Sequence, residues 1–464
     1  ALDGRLKITN IETNKKSNYI LTSDMGIAPG LNAVDLIVDG QEKQIVLETA
    51  SQYSVNDIDL NKYVNFDDAQ NVEIRGIKNI GITVTQEVSD SNSVYAITYQ
   101  KDGVTKTEYV TPSTVDGKNT ISLDDFIKEN NIYDYENIEV QQASSEQIKN
   151  NFSNINTYES STDIYTDNKY GGNQNDVSVL IKAFVNNNEL SSLDQKKAQL
   201  LDGLIDKYYP NATNIEKLNL AATYADGGCG WMATANAFAT YMGSQENGIV
   251  DFKNMTGVDL FFDDNGTKSY NLEALAFDMF LSYNSKVGNN ISQVINAANS
   301  GVGKMEYDYK IIPYFTEKGI NAKFSSKSIS LDDNLNSQVL STILSNNDKN
   351  TFNILGTAGV DLKSISNNTN LENVSDGALT DASVSDNTVS NVGAHAMLVT
   401  GISDDMNVVV SSWSGKYELD GNSIIRNKEA FAEYQKTNAQ SGEIKDNDIA
   451  NKFYLNLYSI SFSS

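Results

Sequence analysis

The chain is poor in residues that most proteins of its size use freely. Its 464 residues include one cysteine, one histidine, four prolines and two tryptophans. One cysteine excludes an intrachain disulfide and any multi-cysteine zinc site. One histidine excludes a histidine-rich metal centre, and no metal or cofactor is expected. Positive charge is scarce too: 35 Lys and Arg against 61 Asp and Glu give a net charge of −26. No basic cluster stands out, so the phosphate-neutralising surface that nucleic acid requires is missing. No apolar run approaches the roughly 20 residues of a membrane span, and membrane insertion is not expected. The chain opens at Ala1 and is polar from Asp3 onward, as a protein would be after removal of a signal segment. Many Asn, Asp, Ser and Tyr with so little Pro suggest a secreted or cell-surface protein of a bacterium.

What remains is concentrated. The sole cysteine lies in Asp226-Gly227-Gly228-Cys229-Gly230-Trp231, and the sole histidine, 166 positions later, in Gly393-Ala394-His395-Ala396-Met397. A thiol and an imidazole that meet in space are the minimum pair for nucleophilic catalysis. Gly227 and Gly228 allow a sharp turn. The run from Trp231 to Met242 is alanine-rich and apolar and reads as a buried helix closed by Gly243. Cys229 would then stand at a helix N-terminus, where unpaired N–H groups and the helix dipole favour a thiolate. A lone cysteine is also commonly no more than a small buried hydrophobe.

The length predicts two domains or three. Residues 1–141 read as a β-rich accessory domain or pro-region. Arg5–Thr9 alternates; Val34–Val38 leads through Asp39-Gly40 to Gln44–Leu47 as a hairpin; and a second hairpin joins Val94–Tyr99 to Val104–Val110 through Asp102-Gly103. Asn71–Ile74 and Ile80–Val84 add strands, and a short helix is expected from Ser122. Residues 142–178 are polar and turn-rich and read as a linker. Residues 179–464 form the remaining domain. There, Ser192 to Gln195 has capping-box spacing and opens a helix carrying Ala198, Leu201, Leu204 and Ile205, ended by Pro210. Further helices are expected at 271–284, 289–299, 330–343 and 428–435, with short strands at 307–315 and 322–324. Asp263-Asp264-Asn265-Gly266 fails the calcium-loop pattern, with Phe261 and Leu272 at the terminal ligand positions, and reads as a turn. Residues 363–392 read as a long loop ahead of His395.

After His395, strand Ala396–Ile402 runs into the turn Ser403-Asp404-Asp405-Met406 and returns as Asn407–Trp413. Pairing about that turn brings positions 411–414 beside the histidine. Ser411 or Ser412 could accept the ring N–H, and Trp413 could shield that contact from water.

Cys-Gly opening a central helix, His-Ala opening a strand, and a Ser-Ser-Trp-Ser stretch some sixteen residues later resemble the papain-like cysteine peptidases. The match spans roughly residues 180–464. The wide Cys-to-His spacing and the Ala-Thr-Ala-Asn run after the cysteine are also similar to bacterial immunoglobulin-degrading cysteine endopeptidases. The resemblance implies an α+β papain-like catalytic domain, with a helical part carrying Cys229 and an antiparallel β part carrying His395, and no cofactor. It implies hydrolysis of protein or peptide substrates, a host protein included, by Cys229 as nucleophile and His395 as base. Ser411 stands where the family has its orienting Asn, with Ser412, Asp404 and Asp405 as alternatives. The family's oxyanion glutamine corresponds to Thr223, so that Asn219 or Lys217 would donate beside the Cys229 N–H. The same pair also serves thiol acyltransferases and amidases, and the scaffold could equally be a catalytically silent surface-binding protein.

Overall fold

Asp39 (φ 49°) and Gly40 (φ 82°) both lie in the left-handed region. That is the backbone of a tight hairpin turn whose twist matches the strands it joins. Strands Gly30–Val38 and Gln41–Thr49 accordingly pair antiparallel in unbroken register, with Val38 opposite Gln41. The same chemistry closes Tyr95–Lys101 onto Val104–Val110 at Gly103, and Ser113–Val115 onto Lys118–Ser122 at Asp116-Gly117. Both hairpins read from sequence are thus present.

The computed structural model describes residues 20–21, 28, 30–49, 58–60, 72–81, 85–101, 103–130, 132, 138–153, 171–264, 267–297, 301–303, 306–332, 334–346, 350–365, 383–385, 388–438 and 452–463. The strand expected at Arg5–Thr9 lies outside them. The chain divides into two units, Ala1–Ala143 and Ser144–Ser464. In the first, Val72–Gly81 forms one strand with two register shifts against Gly30–Val38, where two separate strands were expected. Its core joins Leu31, Ala33 and Val46 to Tyr95, Ile97, Tyr99 and Ile121, and to Phe126 and Ile127 of helix Asp124–Asn130, which starts two residues after the expected Ser122.

Elements of the second unit are labelled from its own start. Part of the expected linker is structured: α1 (Ser145–Ser153) falls within it, Gly171, Gly172 and Asn173 are buried, and α2 (Gln174–Val185) begins before residue 179. Next come α3 (Ser192–Tyr208), α4 (Asn214–Gly227), α5 (Cys229–Gly243), α6 (Gly248–Thr256) and α7 (Leu272–Lys286). The α3 cap is Ser191, whose hydroxyl accepts from Asp194 N, one residue earlier than the sequence reading. Ala198, Leu201, Leu204 and Ile205 are buried as the helical spacing requires. Residues 307–315 are helical, not extended: Tyr307–Lys310 and Ile312–Glu317. Tyr307, Ile311, Tyr314 and Phe315 recur at i, i+4, i+7 and i+8 and are all buried, so the apolar period is that of a helix.

The β part is one nine-stranded antiparallel sheet. In chain order its strands are β1 (Asn321–Ser328), β2 (Thr351–Ala358), β3 (Val360–Ser364), β4 (Ser383–Ser385), β5 (Thr388–Val392), β6 (His395–Ile402), β7 (Val408–Ser412), β8 (Gly415–Asp420) and β9 (Tyr454–Ser463). In space the order is β1-β9-β2-β6-β7-β8-β3-β5-β4. The loop expected at 363–392 therefore supplies strands at one edge of the sheet, and its residues 366–382 lie outside those described. The second unit is a mixture of helix and sheet, α+β in class. Its core runs along α5, buried from Gly230 to Met242, with Phe238 ringed by Phe252, Phe315 and Phe462. The helix packs against β2, β6 and β9, which carries its first residue, Cys229, to the start of the histidine strand. Among the described residues no helix is long and apolar enough to cross a membrane.

Candidate active site

Only Gly228 separates α4 from α5. Its backbone is right-handed (φ −71°, ψ −10°), so the glycine is needed for space and not for a left-handed turn. A Cβ there would lie 2.8 Å from the Tyr224 carbonyl oxygen and 2.8 Å from the Cβ of Gln174. The turn sets Cys229 at the first position of α5, half-buried. Its sulfur receives backbone N–H groups from Ala396, from Gly230 and from Cys229 itself. Ala396 follows His395 in β6, so thiol and imidazole belong to one site. Burial nevertheless raises the Cys229 pKa, outweighing those N–H groups. The thiolate expected from the helix N-terminus alone is not the favoured resting form.

His395 opens β6 opposite Thr357 of β2 and is 3% exposed. Burial without a neighbouring carboxylate lowers its pKa to about 3, so the ring rests neutral. Its Nε2 and Ser412 Oγ are hydrogen-bonded at 2.6 Å. Trp413 lies flat on the ring, centroids 4.1 Å apart and planes 10° from parallel, a stack that covers one face of the imidazole. Trp413 (φ 45°) and Ser414 (φ 57°) form the two-residue turn between β7 and β8, in a conformation that glycine or asparagine normally supplies. Holding two ordinary side chains there costs roughly 1–2 kcal/mol each. That strain is what lays the indole over the histidine.

Ser411 does not orient the ring. It pairs with Leu398 across the sheet, and its hydroxyl accepts a hydrogen bond from Asn236 Nδ2 of α5 at 3.3 Å. Successive side chains of a strand point to opposite faces, so Ser411 and Ser412 cannot both face His395. Asp404 and Asp405 also fall away from the ring. They sit in the turn at the far end of β6, roughly 23 Å along the strand, and Asp404 is fully exposed in an ion pair with Lys149 at 2.6 Å. Asn219 is exposed on α4, two turns before its end, and its carbonyl accepts from Thr223 Oγ1. Lys217 is buried between Asp202 and Asp206, at 2.8 and 2.7 Å. Neither residue is available to the thiol.

The sequence reading passed over the segment Gly171–Gln174. Gly171 packs on Ser411 and Asn236, Gly172 packs on Met232 and accepts from Ser414 N, and Asn173 N donates to Glu273 Oε1 at 3.3 Å. Gln174 is 3% exposed against Gly228, and its carboxamide has no hydrogen-bond partner among the described residues. The signal was present, because Asn173 is an N-cap and the apolar period begins right after it. The surrounding polar composition masked it.

No family model matches the chain, and no curated protein or solved structure matches it.

Proposed function

We propose that the chain is a papain-like cysteine endopeptidase, secreted or surface-borne in a bacterium. The observation that carries the reading is the N–H of Ala396, the residue after the sole histidine, directed at the sulfur of the sole cysteine, with the histidine ring held by Ser412 and covered by Trp413. The third position then belongs to Ser412 in place of Ser411. Because burial disfavours charge on either partner, the resting pair is thiol and imidazole, and His395 acts as a general base at the moment of attack. The thiol proton passes to the imidazole while sulfur bonds to the peptide carbonyl carbon. The imidazolium returns that proton to the departing amine, leaving a thioester on Cys229. Water, deprotonated by the same ring, then releases the acid and regenerates the thiol. The Cys229 N–H and the carboxamide of Gln174 are the oxyanion donors this reading selects, in place of Asn219 and Lys217.

Incubation with an unstructured protein tests it, with new termini read by mass spectrometry. Cleavage that Cys229→Ala abolishes, with a thioester adduct on Cys229 after acid quench, is the expected result. A second reading, a silent binding protein on the same scaffold, draws on the raised thiol pKa. It predicts no cleavage and no adduct. Labelled amine left on the substrate in place of new termini would identify an acyltransferase using the same pair.

A further inference from the structure

Cys229 stands between two glycines, and each is crowded by a different neighbour. Successive residues of a helix turn by about 100°, so the thiol projects between the directions of Gly228 and Gly230. On the Gly228 side a placed Cβ would lie 2.8 Å from the Cβ of Gln174. On the Gly230 side it would lie 2.9 Å from the Cβ of Val302 and 3.1 Å from the Val302 carbonyl oxygen. The half-buried thiol is therefore flanked by a polar wall and an apolar one. Val302 is the one side chain of Gly301-Val302-Gly303, a stretch that neither helix nor strand holds in place.

Side chains hold that stretch instead. Lys310 Nζ donates to the Gly301 carbonyl at 2.6 Å, and Glu306 Oε2 accepts from Gly303 N at 2.6 Å. Lys310 and Glu306 also form an ion pair at 2.8 Å, with side chains only 8% and 17% exposed. Lys310 Nζ lies 5.9 Å from the centroid of the Tyr283 ring, and that ring packs on Trp231 in the first turn of α5. A buried ion pair adds little net stability over apolar residues of the same size. This one clamps the backbone on both sides of Val302 and rests on the nucleophile's own helix. We propose that Val302 is a specificity-determining residue, held by Glu306 and Lys310 as a fixed wall that limits the bulk of the group reaching Cys229. This rests on the thiol acyl-transfer reading and names what restricts the substrate of that site.

The test uses Cys229 as its own reporter, since any thiol label on this chain must lie there. The rates of modification by methyl and by benzyl methanethiosulfonate, both neutral, are measured on the full chain, and their ratio is compared with that for N-acetylcysteine amide. The methyl reagent should be favoured by roughly tenfold over the free thiol's ratio, within the range that overpacking costs. Val302→Ala should bring the ratio most of the way down to that of the free thiol. Val302→Ile should raise it above the wild type, which an unfolded chain cannot imitate. Glu306→Gln keeps an acceptor for Gly303 N but removes the charge that holds Lys310, and it should lower the ratio. Lys217→Met breaks a different buried ion pair of the same unit, with Asp202 and Asp206, and should leave the ratio high. That separates the wall from a general loosening. A wild-type ratio equal to the free thiol's overturns the proposal, and so does a thiol that reacts with neither reagent. So does a ratio that Val302→Ala fails to lower, that Val302→Ile fails to raise, that Glu306→Gln leaves unchanged, or that Lys217→Met lowers equally. Because no step depends on peptide cleavage, discrimination without cleavage would overturn the peptidase reading and leave the wall standing, and cleavage without discrimination would do the reverse.

Discussion

Because His395 is the only histidine in the chain, its titration can be read in the stability of the whole second unit. In the folded state burial holds its pKa near 3, whereas unfolded it titrates at about 6.5. Between these values the unfolded state binds a proton that the folded state refuses. Stability is therefore fully present above pH 6.5 and falls as the pH drops toward 3. The loss from pH 7 is about 1 kcal/mol at pH 5.5 and about 2 kcal/mol at pH 5, before most carboxylates begin to protonate. Both tryptophans, Trp231 and Trp413, lie in the second unit, so urea unfolding followed by tryptophan fluorescence reports that unit alone. The wild type should lose these amounts, whereas His395→Gln, which can still hydrogen-bond Ser412, should be nearly flat from pH 7 to 5.5. Equal slopes in the two proteins would refute the reasoning. So would a histidine ring proton titrating near pH 6.5 in the folded protein by NMR.

Ser412→Ala strips His395 Nε2 of its partner and should destabilise the second unit by about 1–3 kcal/mol. If the chain cleaves peptides, its rate should also fall far more than that of Ser411→Ala, which steady-state kinetics on both variants would show. Ser414→Gly relieves one strained residue of the Trp413-Ser414 turn, and the urea midpoint should rise by the equivalent of about 1 kcal/mol. Asp278 is fully buried and accepts from Lys207 Nζ at 3.0 Å, Tyr208 OH at 2.8 Å and Tyr314 OH at 2.7 Å. Asp278→Ala leaves those donors unanswered and should cost about 3 kcal/mol in the same unfolding assay.

Some elements were decided by neighbours in sequence, and these could be read directly. Asp39-Gly40 fixes a hairpin because its backbone conformation fits only one kind of turn. The apolar run after Cys229 has one stable outcome, a buried helix, and it ends at Gly243 as read. Strand β8 was legible but missed, since Gly415 to Asp420 alternates buried and half-buried at every residue. Residues 307–315 were misread as a strand although their buried residues keep the helical period, because each of the two helices, which meet at Ile311, is short and a brief apolar run also fits a strand.

For the site, the sequence by itself determined the pair: one thiol and one imidazole, each at the head of an element, with two serines and a tryptophan at pairing distance. It also narrowed the ring's partner to adjacent residues of one strand. Which of the two faces the ring was decided only when α5 packed on one side of the sheet, taking Ser411 to Asn236 and leaving Ser412 to His395. Protonation was likewise a tertiary matter. The helix N-terminus favours a thiolate locally, but desolvation is set by everything packed around the sulfur, and here it dominates.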